Sequence, residues 1–283
     1  VASPEPVLTP RTGRVRAARR LATRRFRDRE RAFLAEGPQA VREALGVEPT
    51  VVREVFATAD ATQRHPELVR AAGSRWSVVD ADVVAALTDT VSPQGMVAVC
   101  DALDVPLAVA LSTAPRLVAV CADVRDPGNA GAVLRCADAA GADVVVFAGD
   151  SVDPYNPKAV RASVGSLFHP HIVCDRDTVA VLAAVRGAGL QVLAADGGGE
   201  DLVDLDDAGA LAGPTAWLFG NEAWGLPDDL RARADAVVGV PIYGRAESLN
   251  LATAAAVCLY ASARAQRRGA AAGRGDLGGG GGS

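Results

Sequence analysis

The chain has little from which to build a metal site. Among its 283 residues there are three histidines, His65, His169 and His171, no HExxH run, and five cysteines without a CxxC pair. The cysteines, Cys100, Cys121, Cys136, Cys174 and Cys258, are odd in number, scattered and flanked by apolar residues. That argues against a disulfide framework and predicts buried thiols in a reducing, cytoplasmic setting. His169 and His171 alternate in a segment that reads as a strand, where structural or surface roles are expected of both. Although 49% of the residues are hydrophobic, no apolar run reaches the ~18 residues of a membrane span. A soluble chain is therefore predicted, and the opening VASPEPVLTPRTGR, with no apolar signal-peptide core, agrees with the cytoplasmic setting. No GxGxxG follows the first strand, which sets aside a dinucleotide-binding dehydrogenase.

Positive charge is concentrated at one end. Ten arginines stand between Arg11 and Arg31 against Asp28 and Glu30, so this segment carries +8 and the net −5 leaves −13 for the remainder. Guanidinium groups bind phosphate through a bidentate fork, and counterion release favours the contact. From charge alone, a solvated helix face and an RNA-binding surface are equally open. Within the run, Arg19, Arg20, Arg24 and Arg25 are the candidate phosphate contacts, joined by Lys158, the only lysine, and Arg161 in the segment YNPKAVRASVGSLF.

The length allows one or two domains. Residues 1–10, with three prolines, read as a disordered lead-in, and residues 15–34 as helical. A turn at Gly37-Pro38 opens a second amphipathic helix with Val41 and Leu45 on one face. VVREVFAT, WSVVD and GMVAVC read as strands, with HPELVRAAG and DADVVAALTDT as helices between them, which predicts a small α/β domain over residues 1–100. Residues 101–115 have two prolines and no clear period, and read as a linker. Beyond it, the strands RLVAVCADV, DVVVFAG, HIVC, QVLAAD, WLFG and AVVGVP alternate with helices, the last of them SLNLATAAAVCLYASARAQRR. Strands apolar on both faces predict a mostly parallel sheet covered by helices over residues 116–268. Residues 269–283 read as a flexible tail.

Three segments carry the chemistry: NAGAVLR (residues 129–135), FGNEAWGLP (219–227) and VPIYGRAESLNL (240–251). Asn129 is expected to cap the helix that carries Arg135 almost two turns along. Gly220 follows the strand WLF, where ligands commonly bind at the carboxyl ends of strands, and its lack of a side chain would let main chain approach a ligand. Glu222 is placed to orient Asn129 or a hydroxyl of a bound ligand. Ser248 is a natural N-cap for the last helix, with Asn250 in its first turn.

Together, in this order and each after a strand-like run, the segments resemble the three motifs of the SpoU-type branch of the SPOUT RNA methyltransferases, over residues from about 116 to 268. The preceding part, with Glu36-Gly37 and SPQGMVAV, resembles the L30e-like RNA substrate-binding domain of many members. The resemblance implies an α/β fold with a deep trefoil knot, a homodimer, and methyl transfer from S-adenosylmethionine to a ribose 2′-hydroxyl in RNA. 23S rRNA is the favoured substrate, with tRNA the alternative. A catalytically silent RNA-binding or assembly protein is the reading from another class. Arg135, Asn129, Glu222, Ser248 and Asn250 are then the catalytic residues. Phe219, Gly220, Asn221, Val240, Pro241, Ile242, Ser248, Leu249 and Asn250 are the implied cofactor contacts. Arg135 matches the activator of the hydroxyl, as base or as phosphate clamp. The chain departs from the family at Tyr243, where a small residue after Pro-Met is usual.

Overall fold

The computed structural model describes residues 8–275. Residues 1–7 of the expected lead-in and 276–283 of the expected tail lie outside the described residues. In chain order the first elements are α1 (Gly13–Arg20), α2 (Arg24–Glu30), β1 (Ala32–Glu36), α3 (Pro38–Gly46), β2 (Val52–Ala57), α4 (Ala59–Arg64), α5 (Pro66–Ala72), β3 (Trp76–Val78), α6 (Ala81–Leu87) and β4 (Met96–Asp101). There follow α7 (Leu107–Leu111), β5 (Leu117–Ala122), α8 (Pro127–Ala140), β6 (Val144–Ala148), α9 (Pro157–Ser163), β7 (His171–Asp175), α10 (Thr178–Gly187) and β8 (Gln191–Asp201). The last elements are α11 (Leu202–Asp207), β9 (Thr215–Phe219), α12 (Asp228–Arg231), β10 (Ala236–Gly239) and α13 (Leu251–Gly275). They form two compact units, residues 1–103 with 153–169, and residues 104–152 with 170–283.

The first unit is built on a four-stranded sheet of order β1-β4-β2-β3, antiparallel except between β2 and β3. Val15, Leu34, Phe56, Val83, Leu87 and Val97 pack one of its cores. The helix expected over residues 15–34 is broken twice. Thr23 is extended at the start of α2, and Arg31 ends that helix in the left-handed region at φ 47°. Phe33 and Leu34 then belong to β1, where pairing with Cys100 and Val99 outweighs local helix propensity.

Residues 153–169 fold as part of this unit although they lie between two strands of the other. Phe33 stacks on Tyr155 at 4.7 Å and on Phe168 at 5.9 Å between ring centroids. The Arg27 guanidinium meets the Asp153 carboxylate at 2.7 Å with both side chains buried, 4% and 7% exposed. Arg27 also donates to the carbonyls of Leu21 and Ala22. This pair has the added hydrogen bonds that a buried ion pair requires.

The second unit is a six-stranded, fully parallel sheet of order β10-β8-β9-β5-β6-β7. Every residue of β5, β6 and β9 is buried, as expected of strands covered on both faces. Ala255, Cys258, Leu259 and Ser262 of α13 are buried, and the Ser262 hydroxyl accepts from the Trp217 indole at 2.9 Å. Small residues on that helix thus admit close packing. The segment read as a linker contains α7, whose Ala110, Leu107 and Leu111 join the core of this sheet. α13 continues past Arg268 to Gly275. No helix among the described residues is long and apolar enough to cross a membrane.

Candidate active site

The chain lays down β5, β6 and β7 in one direction, then returns so that β9 flanks β5 on its other side. Loops leaving the carboxyl ends of β5 and β9 therefore diverge across a topological switch point, where parallel α/β sheets leave a crevice. The first turn of α8 and the loops after β9 and β10 meet through three polar side chains. Asn250 donates from Nδ2 to Asn129 Oδ1 at 3.0 Å, and Asn129 donates from Nδ2 to Glu222 Oε1 at 3.2 Å. The Glu222 carboxylate also accepts the main-chain N–H groups of Arg125 and Asp126 at 3.2 and 3.1 Å. An anion at the N-terminus of α8 is favoured by the unpaired N–H groups and dipole of that helix.

Both helix starts differ from expectation. Asp126, not Asn129, caps α8, accepting the Asn129 N–H at 2.8 Å with Pro127 in the first turn. Aspartate before proline is a start signal that the sequence carries at this point. Asn129 thereby keeps its whole side chain for Glu222 and Asn250. At the last helix, Asn250 rather than Ser248 is the cap, its Oδ1 accepting the Ala252 N–H at 2.9 Å. Ser248 is exposed in the preceding loop.

Gly220 also has a reason within the fold for lacking a side chain. A Cβ there would lie 2.5 Å from the Gly225 carbonyl carbon and oxygen, and 2.7 Å from Leu226 N. Its close neighbour is therefore the protein's own main chain. The loop closes through reciprocal hydrogen bonds between Asn221 and Gly225 at 3.0 and 2.9 Å. Gly225 turns it at φ 68°. Asn221 is buried and pins the loop to β5 by donating to the Asp123 carbonyl at 2.6 Å. The outward tip is Trp224, 55% exposed, with the Arg125 guanidinium 5.1 Å from its ring centroid. Neither Asp126, Arg125 nor Trp224 was among the residues expected at the site.

Arg135 is exposed on α8, and among the described residues no side chain hydrogen-bonds or ion-pairs with it. Asn129, Glu222 and Asn250 are thus brought together, and Arg135 is left free. Below the loops, burial pushes the Cys121 thiol up to about 12, with the Glu222 charge adding to the effect. Burial also raises Cys136, which the Arg135 charge opposes. Cys100 and Cys258 are buried as expected, whereas Cys174 is exposed.

The residues present fit S-adenosylmethionine by the chemistry of their donor set. Among the described residues, none donates to or accepts from the main chain of residues 242–249, so a run of peptide groups beside Asn250 is free for a ligand. Half-buried Val240, Pro241 and Leu249 and the partly exposed Ile242 give this run an apolar side. Phe219 is only 1% exposed and packs beside Trp217, so its side chain is closed to a ligand. Tyr243 projects into solvent at 89% exposure. No group of three His, Cys, Asp or Glu that could hold a metal occurs among the described residues.

In the first unit Arg19, Arg20, Arg24 and Arg25 are exposed, Arg24 lying 3.8 Å from Asp28. Lys158 is exposed near the start of α9. Arg161 pairs with Glu36 at 3.4 Å and with Asp89, so its charge is largely spent inside the unit.

Residues 116–260 match the SpoU rRNA Methylase family, and residues 13–98 match the MRM3-like substrate binding domain. The 23S rRNA (guanosine(2553)-2′-O)-methyltransferase RlmP of Bacillus subtilis is 33% identical over 250 residues, covering 87% of this chain and 94% of that protein. A 23S rRNA (uridine(2479)-2′-O)-methyltransferase of Streptomyces viridochromogenes is 38% identical over 144 residues, 49% of each chain. Among solved structures, an AdoMet-bound rRNA methyltransferase from Sinorhizobium meliloti is similar at a TM-score of 0.77 and 31% identity, covering 91% of this chain and 97% of that one. The SpoU methyltransferase AviRb from S. viridochromogenes, in complex with AdoMet, is similar at the same TM-score and identity, covering 91% and 100%. By its matched domains, its relatives and its fold, the chain belongs to the SpoU rRNA methylase family.

Proposed function

We propose that the protein methylates a ribose 2′-hydroxyl of 23S rRNA with S-adenosylmethionine as donor. The observation that carries this reading is the line of side chains from Asn250 through Asn129 to Glu222, which ties the start of α8 to the loops after β9 and β10 at the switch point. When bound, S-adenosylmethionine supplies an electrophilic methyl group. Val240, Pro241, Ile242 and Leu249, with the main chain near Phe219, Gly220 and Asn221, would hold it. The Glu222 carboxylate already accepts three N–H donors, so it orients Asn129 rather than taking up a proton. Arg135, unpaired and exposed, binds the RNA beside the target ribose and places its hydroxyl. Ser248 and Asn250 line the same pocket.

Residues 1–100 would serve as the RNA substrate-binding domain and 116–268 as the methyltransferase domain. The supports are the two family matches and the exposed arginines Arg19, Arg20, Arg24 and Arg25, with Lys158 and Arg161 as weaker candidates. A knotted homodimer working in the cytoplasm without a metal completes the reading, on the ground of family resemblance. The test is transfer of labelled methyl from S-adenosylmethionine to unmodified 23S rRNA, with total tRNA in parallel. Label in an alkali-resistant dinucleotide from rRNA is expected, and Arg135→Ala should abolish it while leaving RNA binding largely intact. Label in tRNA alone would overturn the substrate. Unchanged transfer by the variant would overturn the role of Arg135.

A further inference from the structure

A cavity of about 300 Å³ in the first unit is lined by Arg14, Arg20, Arg29 and Arg53 around Phe26, over a floor that includes Leu21 and Val99. Three of these arginines come from the basic run, whereas Arg53 comes from β2. Three of the four guanidinium groups have a carboxylate partner, Arg14 with Glu54, Arg29 with Glu30 and Arg53 with Asp101, so the lining keeps one surplus positive charge, on Arg20. The arginines are not loose surface charges. Arg14 is held by Glu54, its Nε lying 3.3 Å from Oε2. Arg53 donates to Asp101 at 2.6 Å and to the carbonyls of Glu30 and Arg31. Arg29 lies 4.6 Å from the Phe26 ring centroid and donates to Glu30 at 2.8 Å. Arg20 lies 5.5 Å from the same ring and, among the described residues, has no carboxylate partner.

We propose that this cavity holds one unpaired nucleotide of the RNA substrate. The phosphate lies among Arg14, Arg20 and Arg53, and the base rests on the stacked guanidinium groups and the apolar floor. The inference rests on the reading of the protein as an RNA methyltransferase and locates a contact that the basic run alone does not specify. Charge decides the ligand class: an apolar floor alone would accept any flat ring, but the Arg20 guanidinium, without a carboxylate of its own, favours an anion. Volume decides the number, because a site of this size has room for a single nucleotide. Since the carboxylates and Phe26 fix the guanidinium groups before RNA arrives, little side-chain freedom is lost on binding.

The test uses the full chain and an unmodified 23S rRNA fragment that the wild type methylates, with RNA affinity measured across salt concentrations. Arg20→Ala removes the arginine without a carboxylate partner, so it is not expected to unfold the unit. It should weaken binding by about tenfold and lower the salt slope by about one. Ala17→Leu, on the cavity wall in α1, changes no charge but occupies the space, and should weaken binding comparably. Arg70→Ala, an exposed arginine of α5 outside the cavity, should leave binding unchanged. S-adenosylmethionine binding should be normal in all three. Wild-type affinity in Ala17→Leu would overturn the cavity, as would equal losses in Arg20→Ala and Arg70→Ala, which mark diffuse attraction. Absence of RNA binding and methyl transfer in the wild type would overturn the RNA reading itself.

Discussion

Replacing Gly220 by alanine tests whether the second motif is a rigid clasp. The added methyl would sit 2.5 Å from the Gly225 carbonyl, where ordinary contact begins near 3.4 Å, so one side of the loop must move by nearly 1 Å. The neighbours are main-chain atoms on both sides, and no rotamer change relieves the overlap. The reciprocal Asn221–Gly225 hydrogen bonds are the first to be lost, at about 1 kcal/mol each, and residual overpacking adds about 1–2 kcal/mol. A destabilisation of about 2–4 kcal/mol is expected, read from the urea midpoint with the slope unchanged. Glu222 is the next residue but one, so its contacts to Asn129 and the α8 N-terminus shift by a similar distance. A displacement of that size typically costs about 100-fold in rate. Stability within about 0.5 kcal/mol of wild type, together with unaltered methyl transfer, would refute the clasp.

Asn250→Asp separates two duties of one side chain. It keeps an oxygen to cap α13 but loses the donor to Asn129, so stability should change by less than about 0.5 kcal/mol while methyl transfer falls at least tenfold; a cap defect without a rate defect would contradict this. Asp153→Asn should cost about 3–5 kcal/mol in urea unfolding by leaving the buried Arg27 without its counter-charge, whereas Arg27→Met with Asp153→Leu should cost much less. Stability should also fall at alkaline pH. The Cys121 and Cys258 thiols rise from an ordinary 9.0 to about 12 through burial. Unfolded thiols therefore ionise first, and the stability held below pH 9 is lost toward pH 12 at about 1.4 kcal/mol per unit per thiol. Buried Cys100, also raised by burial, adds to the loss, and equal urea midpoints at about pH 8 and pH 10.5 would contradict the burial of these thiols.

The parallel sheet was legible because its strands are apolar on both faces, and RLVAVCADV, DVVVFAG and WLFG can be little else. The motif order was equally plain. Helix starts were less so: Asn129 and Ser248 are good capping residues by type, yet Asp126 before Pro127 and Asn250 take those places, each because its oxygen meets a free N–H. The role of Gly220 could not be read locally, since the atoms that forbid a side chain come from the far end of its own loop. β1 was hidden for a related reason. AFLAE sits directly after a helix, and only its pairing with β4, more than sixty residues on, makes it a strand. Nothing in YNPKAVRASVGSLF announces that it packs with the first unit, because the partners, Phe33 and Glu36, are distant in sequence.

That last excursion has a consequence for how the protein is made. Residues 1–103 leave the ribosome without the segment that completes their core, and Arg27 waits for a partner 126 positions later. At ordinary translation speeds of about 5–20 residues per second, the wait is roughly 6–25 s. During that interval neither the rings that stack on Phe33 nor the counter-charge of Arg27 has yet been made, so completion of this core is tied to synthesis of the strands between. The two units mature in an interleaved order, the first becoming complete only after β5 and β6 of the second have been made.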